Sequence, residues 1–215
     1  MSITLAIIIL TCIISISALN KEKLIDDLIF YPPAITHQKQ YYRFLTCGLI
    51  HADFLHLGFN MYGLYIFGTA VEGMFTQIFY EKGKLLYLLM YITALFFSLL
   101  PTYTKHKDDS NYRSLGASGA VSAVIFAFIF LDPLRKMGII FLPQQFMIPG
   151  FIFGLLYIIL SSYFDKRGQG NINHSAHIWG GIYGIAFLVL TGYFFSDYGV
   201  LQEFINKIQS WFSSF

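Results

Sequence analysis

Charge is scarce in this sequence. Only 12% of its 215 residues are Asp, Glu, Lys or Arg, roughly half the share of an average soluble domain. That is too little to coat a globule of this size, so much of the surface must face lipid rather than water. The mean hydropathy of +0.59 excludes a disordered chain. The net charge of +2 is too small to imply a polyanionic partner, and no nucleic acid is expected. Two cysteines, Cys12 and Cys47, are too few for a disulfide framework. Cys12 lies in an apolar run and reads as a small buried hydrophobe. Internal repeats and low-complexity stretches are also missing.

What the chain does have is long apolar runs. Six of them approach the length that crosses a bilayer: 2–19, 54–80, 85–103, 116–131, 147–164 and 176–195. They are continuous and do not alternate with polar residues, which excludes barrel strands and leaves helices. No Lys or Arg precedes the first run, so it reads as a retained helix, not a signal peptide. The fourth run is short and opens with small residues. Between the first two lies a long amphipathic segment, 20–53, with Pro32-Pro33 in its middle. Loops of that length are usually functional or packed on their own domain. The tail, 196–215, carries Leu201, Phe204, Ile205, Ile208, Trp211 and Phe212 at helical spacing and reads as an interfacial helix. The expected architecture is all-α: one membrane domain over residues 1–215, a six-helix polytopic bundle.

Polar side chains are costly in hydrocarbon, so each one in a span is a functional candidate. His51, His56 and Asn60 stand at the start of the second run, Ser118 at the start of the fourth, and His174 and His177 at the start of the sixth. Even-numbered spans all start on the same face. His56, Asn60, Ser118 and His177 therefore lie at one depth, about a turn or two below one surface. Ser118 opens a helix, where free backbone N–H groups and the positive dipole end gather. A serine hydroxyl needs a base, and His177 is the candidate. His56 and Asn60, four apart, face one way and supply N–H donors suited to an oxyanion. No carboxylate is placed behind His177, so the parts form a dyad. Glu72 lies about 18 Å further along its helix than Asn60, and its expected job is to anchor helix ends or loops at the inner face. His106 and His174 read as loop residues without a role.

These residues carry a family pattern. The sequence resembles the rhomboid intramembrane serine proteases. Gly116-Ala117-Ser118-Gly119 is similar to the family's G-x-S-G. Ala176-His177-Ile178-Trp179-Gly180, with Gly184, is similar to its A-H-x-x-G-x-x-x-G. His51, His56 and Asn60 match its H-x-x-x-x-H-x-x-x-N, and Tyr42-Arg43 stands where the family often has Trp-Arg. The resemblance implies a six-helix core, Ser118 as nucleophile and His177 as general base. It also implies His56 and Asn60 in oxyanion binding, a structural His51, and cleavage of transmembrane segments of other proteins. Gly116, Gly119 and Gly180 would be structural near the site.

The sequence departs from the family in three places. Many bacterial members carry an aromatic ring four residues after the serine, stacked on the histidine; here that position is Ser122, so another residue must hold the imidazole. The glycine often found four residues before the Ala of the last motif is Ile172. The family orientation also places nine Lys and Arg residues outside and five inside, against the positive-inside rule. Gly150, Gly154, Gly168 and Gly170 suggest that the fifth helix and the loop after it move to admit substrate.

Histidine is a common metal ligand, but the chain has no H-E-x-x-H and no carboxylate at the depth of its histidines. No metal or other cofactor is expected. The expected partners are transmembrane substrates and the bilayer. With no extra domain or targeting peptide visible, the expected location is a bacterial inner membrane with the site facing outward. The alternative function is a non-catalytic rhomboid-like protein that binds transmembrane segments. A transporter would call for inverted repeats or mid-membrane charge, and neither is present.

Overall fold

The computed structural model describes residues 2–138, 143–167 and 173–214. Its fold is helical. The first helix, α1, spans Ile3–Leu19, with Ser2 as N-cap accepting from the Leu5 N–H. The long segment after it is not a bare loop. It holds α2 (Glu22–Leu28), α3 (Pro32–Gln38) and α4 (Arg43–Thr46), followed by a 3-10 turn at Cys47–Leu49. Pro32 begins α3, where its missing N–H costs nothing. Arg43 ties the segment together: its guanidinium donates to the carbonyls of Asp26 and Ile29 and to Gln40 Oε1.

The second apolar run forms α5 (Phe54–Gly63), a π-helical turn at Leu64–Gly68, and α6 (Thr69–Phe79). Tyr80, at φ 53°, reverses the chain. The next helix, α7 (Gly83–Phe97), then packs back on α6, so closely that a Cβ on Gly83 would strike the Phe75 backbone. The third run was expected to be one helix, but it breaks after Phe97 and resumes as α8 (Leu100–His106). Pro101 is the reason, since it has no N–H to continue the ladder.

The fourth run forms α9 (Ser118–Leu131), two residues shorter than expected because Gly116 adopts φ +112°. Almost every side chain of α9 from Gly119 onward is buried, as befits a helix that is apolar all round. A two-residue antiparallel ladder follows, β1 (Lys136–Met137) against β2 (Ile148–Pro149). The fifth helix, α10 (Gly150–Arg167), thus starts three residues later than expected, and the sixth, α11 (His174–Phe195), starts two residues earlier. Asn173 caps α11 by accepting from the Ala176 N–H, and it accepts from Thr102 Oγ1 of α8 as well. The tail is helical as expected: α12 (Val200–Phe212) stacks Phe204 on Phe130 of α9, and Lys207 donates to the carbonyl of Leu131.

The core is built around α9, with α7, α11 and α6 against it. The outer faces are apolar too. Leu5, Ile9, Ile13 and Ile16 of α1, and Leu155, Ile159 and Leu160 of α10, are exposed. Patches of that kind suit lipid, not water. Two helical stretches are long and apolar enough to cross a membrane, Phe54–His106 and His174–Phe195; Ile3–Leu19, Ser118–Leu131 and Gly150–Asp165 are shorter apolar helices.

Glu72 of α6 anchors a helix end, as expected. Its carboxylate receives Ser2 Oγ at 2.7 Å, the Ile3 and Thr4 N–H groups at 2.8 and 2.9 Å, and Thr4 Oγ1 at 2.8 Å. The Tyr87 hydroxyl stands 2.9 Å from Thr4 Oγ1. A carboxylate at a helix N-terminus satisfies donors that have no partner within the helix. Glu72→Gln places an amide NH2 against those donors. We expect it to lower stability by about 2 kcal/mol, read as a lower thermal unfolding midpoint in detergent.

Candidate active site

Two small-residue stretches bring α9 and α11 together. A Cβ on Gly180 would collide with the Gly119 carbonyl, and one on Gly184 with the Ala123 carbonyl. The helices therefore touch backbone to backbone at two levels one turn apart. Ser118 precedes the first contact on α9. His177 precedes it by three residues on α11, on the same face as Gly180 and Gly184. Gly119 is further confined by Ser98, at the end of α7.

Ser118 is the first residue of α9 and is half-buried, its N-cap Ala117 fully buried. The backbone N–H groups of this first turn have no partner within the helix. The His56 ring sits over Gly116: a Cβ there would lie 2.8 Å from His56 Cε1 and 3.0 Å from Nε2. His56 Nδ1 accepts from the Ala52 N–H at 3.4 Å. That fixes the tautomer, because the proton must then sit on Nε2, the nitrogen facing the Gly116 turn.

His51 is fully buried. Its Nε2 accepts from the Ala117 N–H at 3.4 Å, and its Nδ1 meets Ser15 Oγ at 3.3 Å. It thus joins α1 to the turn that precedes Ser118. Burial first, then the nearby His56, pulls its pKa down to about 4, so the ring is neutral and can accept from Ala117. Its edge also meets the His56 ring, with centroids 5.0 Å apart. Asn60 is buried, and its amide donates to the His56 carbonyl at 3.0 Å. One of its two N–H groups is thereby turned back onto its own helix.

Ser118 Oγ and the His177 ring are not hydrogen-bonded to each other. The His177 ring is instead flanked by two others. Tyr157 of α10 stacks on it at 6.1 Å and 25°, and His174 meets it edge-on at 5.9 Å. The Tyr157 hydroxyl is hydrogen-bonded to Ser122 Oγ at 2.9 Å. The ring absent from position 122 is thus present on another helix. Sequence spacing offers no sign of Tyr157, since its partners lie 35 and 20 positions away.

His174 and His106 are not loop residues. His174 begins α11 and stacks on Phe164, while His106 ends α8, stacks on Tyr112 and pairs with Asp109. Gly150 and Gly154 are packing positions, against Met137 and Ile129. Gly168, Gly170 and Ile172 lie outside the described residues. Among the described residues no group of three His, Cys, Asp or Glu side chains is arranged to hold a metal ion.

The arrangement joins a hydroxyl at a helix N-terminus, an imidazole on the adjoining helix, and an imidazole N–H beside the same turn. These are the residue types that a nucleophile, a base and anion stabilisers would require.

Comparison with known proteins gives the family of the chain. The family profile described as Rhomboid domain matches residues 38–194, and the chain belongs to the rhomboid family. It is 31% identical over 145 residues to RHOMBOID-like protein 12, mitochondrial, of Arabidopsis thaliana, covering 63% of this chain and 42% of that protein. It is 29% identical to Putative rhomboid protease YdcA of Bacillus subtilis, covering 66% and 62%. It is also 28% identical over 167 residues to Rhomboid protease GlpG of Haemophilus influenzae, covering 74% and 76%. The chain thus spans less than two thirds of the length of the first two. Rhomboid proteins are integral membrane proteins, and this chain is one of them.

The α9–α11 contact can be tested by filling it. Gly184→Val drives a side chain into the Ala123 carbonyl and should cost about 1–3 kcal/mol or more. Gly73→Ala, where a Cβ meets nothing within 4 Å, should be neutral or stabilising. Thermal unfolding of the two variants in the same detergent separates these outcomes.

Proposed function

We propose that this chain is an intramembrane serine endopeptidase that cleaves transmembrane segments of other proteins with a Ser118–His177 dyad. The observation that carries the reading is the meeting of three helices at one turn. The α9–α11 backbone contact sets Ser118 beside the helix of His177, and the His56 ring covers Gly116 from α5. The family membership and the relatives named as proteases support it.

The chemistry follows from the parts. His177 removes the Ser118 proton as Oγ attacks a peptide carbonyl. The developing oxyanion meets the Ser118 N–H, the His56 Nε2–H and the remaining Asn60 N–H. His177 then protonates the leaving amine, and water hydrolyses the acyl-enzyme. Catalytic hydrogen bonds are often long before substrate binds and tighten in the complex, so the open Ser118–His177 geometry is compatible with the dyad. His51, Gly116, Gly119 and Gly180 hold the frame.

The architecture we propose is one membrane domain over residues 1–215. It has six crossings: α1; α5 with α6; α7 with α8; α9; α10; and α11, with α12 lying in the interface. The reversal at Tyr80 turns the 53-residue stretch Phe54–His106 into two of them. The short α9, about 21 Å long at 1.5 Å per residue, is surrounded by protein, so it need not match the bilayer thickness and its N-terminus is recessed. The partners are transmembrane substrates and the bilayer itself. The proposed location is a bacterial cell membrane, with the site facing outward and the C-terminus in the cytoplasm. A C-terminal tag should then be digested by added protease in inside-out vesicles and protected in right-side-out ones; the reverse result would invert the orientation.

The decisive assay uses purified protein and a model transmembrane substrate. Wild type should cut it, and Ser118→Ala and His177→Ala should abolish cleavage. His56→Ala should slow it by about 10²–10³-fold, as removal of an oxyanion donor does. Substrate bound but never cut by wild type would favour the non-catalytic reading.

A further inference from the structure

The ring that holds the base comes from a helix other than the one that carries the nucleophile. We propose that Tyr157 of α10 is the positioning residue for His177, so that the base is aligned only while α10 is seated against α9 and α11. This rests on the protease reading above and adds to it a dependence of the dyad on a third helix.

Three contacts fix the Tyr157 ring. Its hydroxyl bonds to Ser122 Oγ at 2.9 Å, its edge meets Phe126 at 5.6 Å, and its face stacks on His177 at 6.1 Å. Ser122 is one turn below Ser118 on the same face of α9. The hydroxyl pair therefore references the ring to the helix that presents the nucleophile. Centroid separations of 4.5–7 Å in offset geometry are the range in which rings attract beyond simple burial.

A second contact of the same kind strengthens the case. Phe164 is seven residues after Tyr157, on the same face of α10, and stacks on His174 at 5.5 Å and 26°. His174 in turn meets His177 edge-on. Two rings of α10 thus lie on two histidines of α11, and the His177 imidazole has two ring contacts. No hydrogen bond to a carboxylate does this work among the described residues. A displacement of α10 large enough to admit a substrate would lift Tyr157 from His177, and its return would realign the base.

The test compares Tyr157→Leu, which removes the ring, with Tyr157→Phe, which keeps it. Cleavage of a transmembrane substrate is read as kcat and KM separately. We expect Tyr157→Leu to lower kcat by about 10- to 100-fold, the cost of a small misplacement of a reacting group, with KM little changed. Tyr157→Phe should recover most of the loss. Independently, the His177 ring carbon–proton signal is followed by NMR in a Ser118→Ala background, assigned by its loss in His177→Ala. It should lose its ring-current shift in Tyr157→Leu and keep it in Tyr157→Phe. An unchanged kcat in Tyr157→Leu, equal losses in both variants, or a loss of kcat with the His177 signal unmoved would each overturn the proposal. Wild type that never cleaves would refute the protease reading instead, and the NMR arm would still decide the stack.

Discussion

The contact between α9 and α11 is the constraint from which the site follows. Gly180 and Gly184 lie against the backbone of Gly119 and Ala123 so closely that no side chain fits between. In lipid there is no hydrophobic force to draw two helices together, because the tails are as apolar as leucine. Close backbone approach and dense packing supply the attraction instead. The contact sits within one turn of Ser118 and His177, so the stability of the bundle and the juxtaposition of the two residues are the same feature. It also explains why α9 can be short and, apart from Ser118 and Ser122, apolar: nearly all of it is buried within the protein.

Around that contact, the polar groups divide between two ends of the molecule. At one end, His51, His56 and Asn60 are satisfied by backbone N–H and carbonyl groups and by Ser15. Those bonds set tautomers as well as positions, leaving the His56 Nε2–H turned toward Gly116. At the other end, Glu72 gathers the free N–H groups of α1. Both solutions obey one rule: a buried polar group costs free energy unless it is paired. The difference lies in what remains unpaired. The Glu72 cluster closes on itself, whereas at the other end the His56 Nε2–H faces the Gly116 turn.

Much of this was legible in the sequence. The apolar runs mark the apolar helices, and the starts of three of them carry His56, Asn60, Ser118 and His177. Boundaries were less legible, for local reasons. Pro101 splits the third run, the positive φ of Gly116 delays α9, and Asn173 draws the start of α11 forward. The long first segment reads as a loop because three short helices carry too few periodic residues to stand out. Tyr157 could not be found at all. Sequence position 122 shows only that a ring is missing, and the replacement is supplied through the packing of α10, which no spacing rule encodes. The direction of the Asn60 amide, back onto the His56 carbonyl, is a choice of rotamer and lies equally beyond the sequence.

The dyad is tested most directly by locating the reactive side chain. Purified protein treated with a fluorophosphonate, digested and mapped by mass spectrometry, should carry the adduct on Ser118, and the adduct should vanish in His177→Ala. Labelling of another serine, or labelling of Ser118 that is indifferent to His177, would contradict a dyad built across the α9–α11 contact.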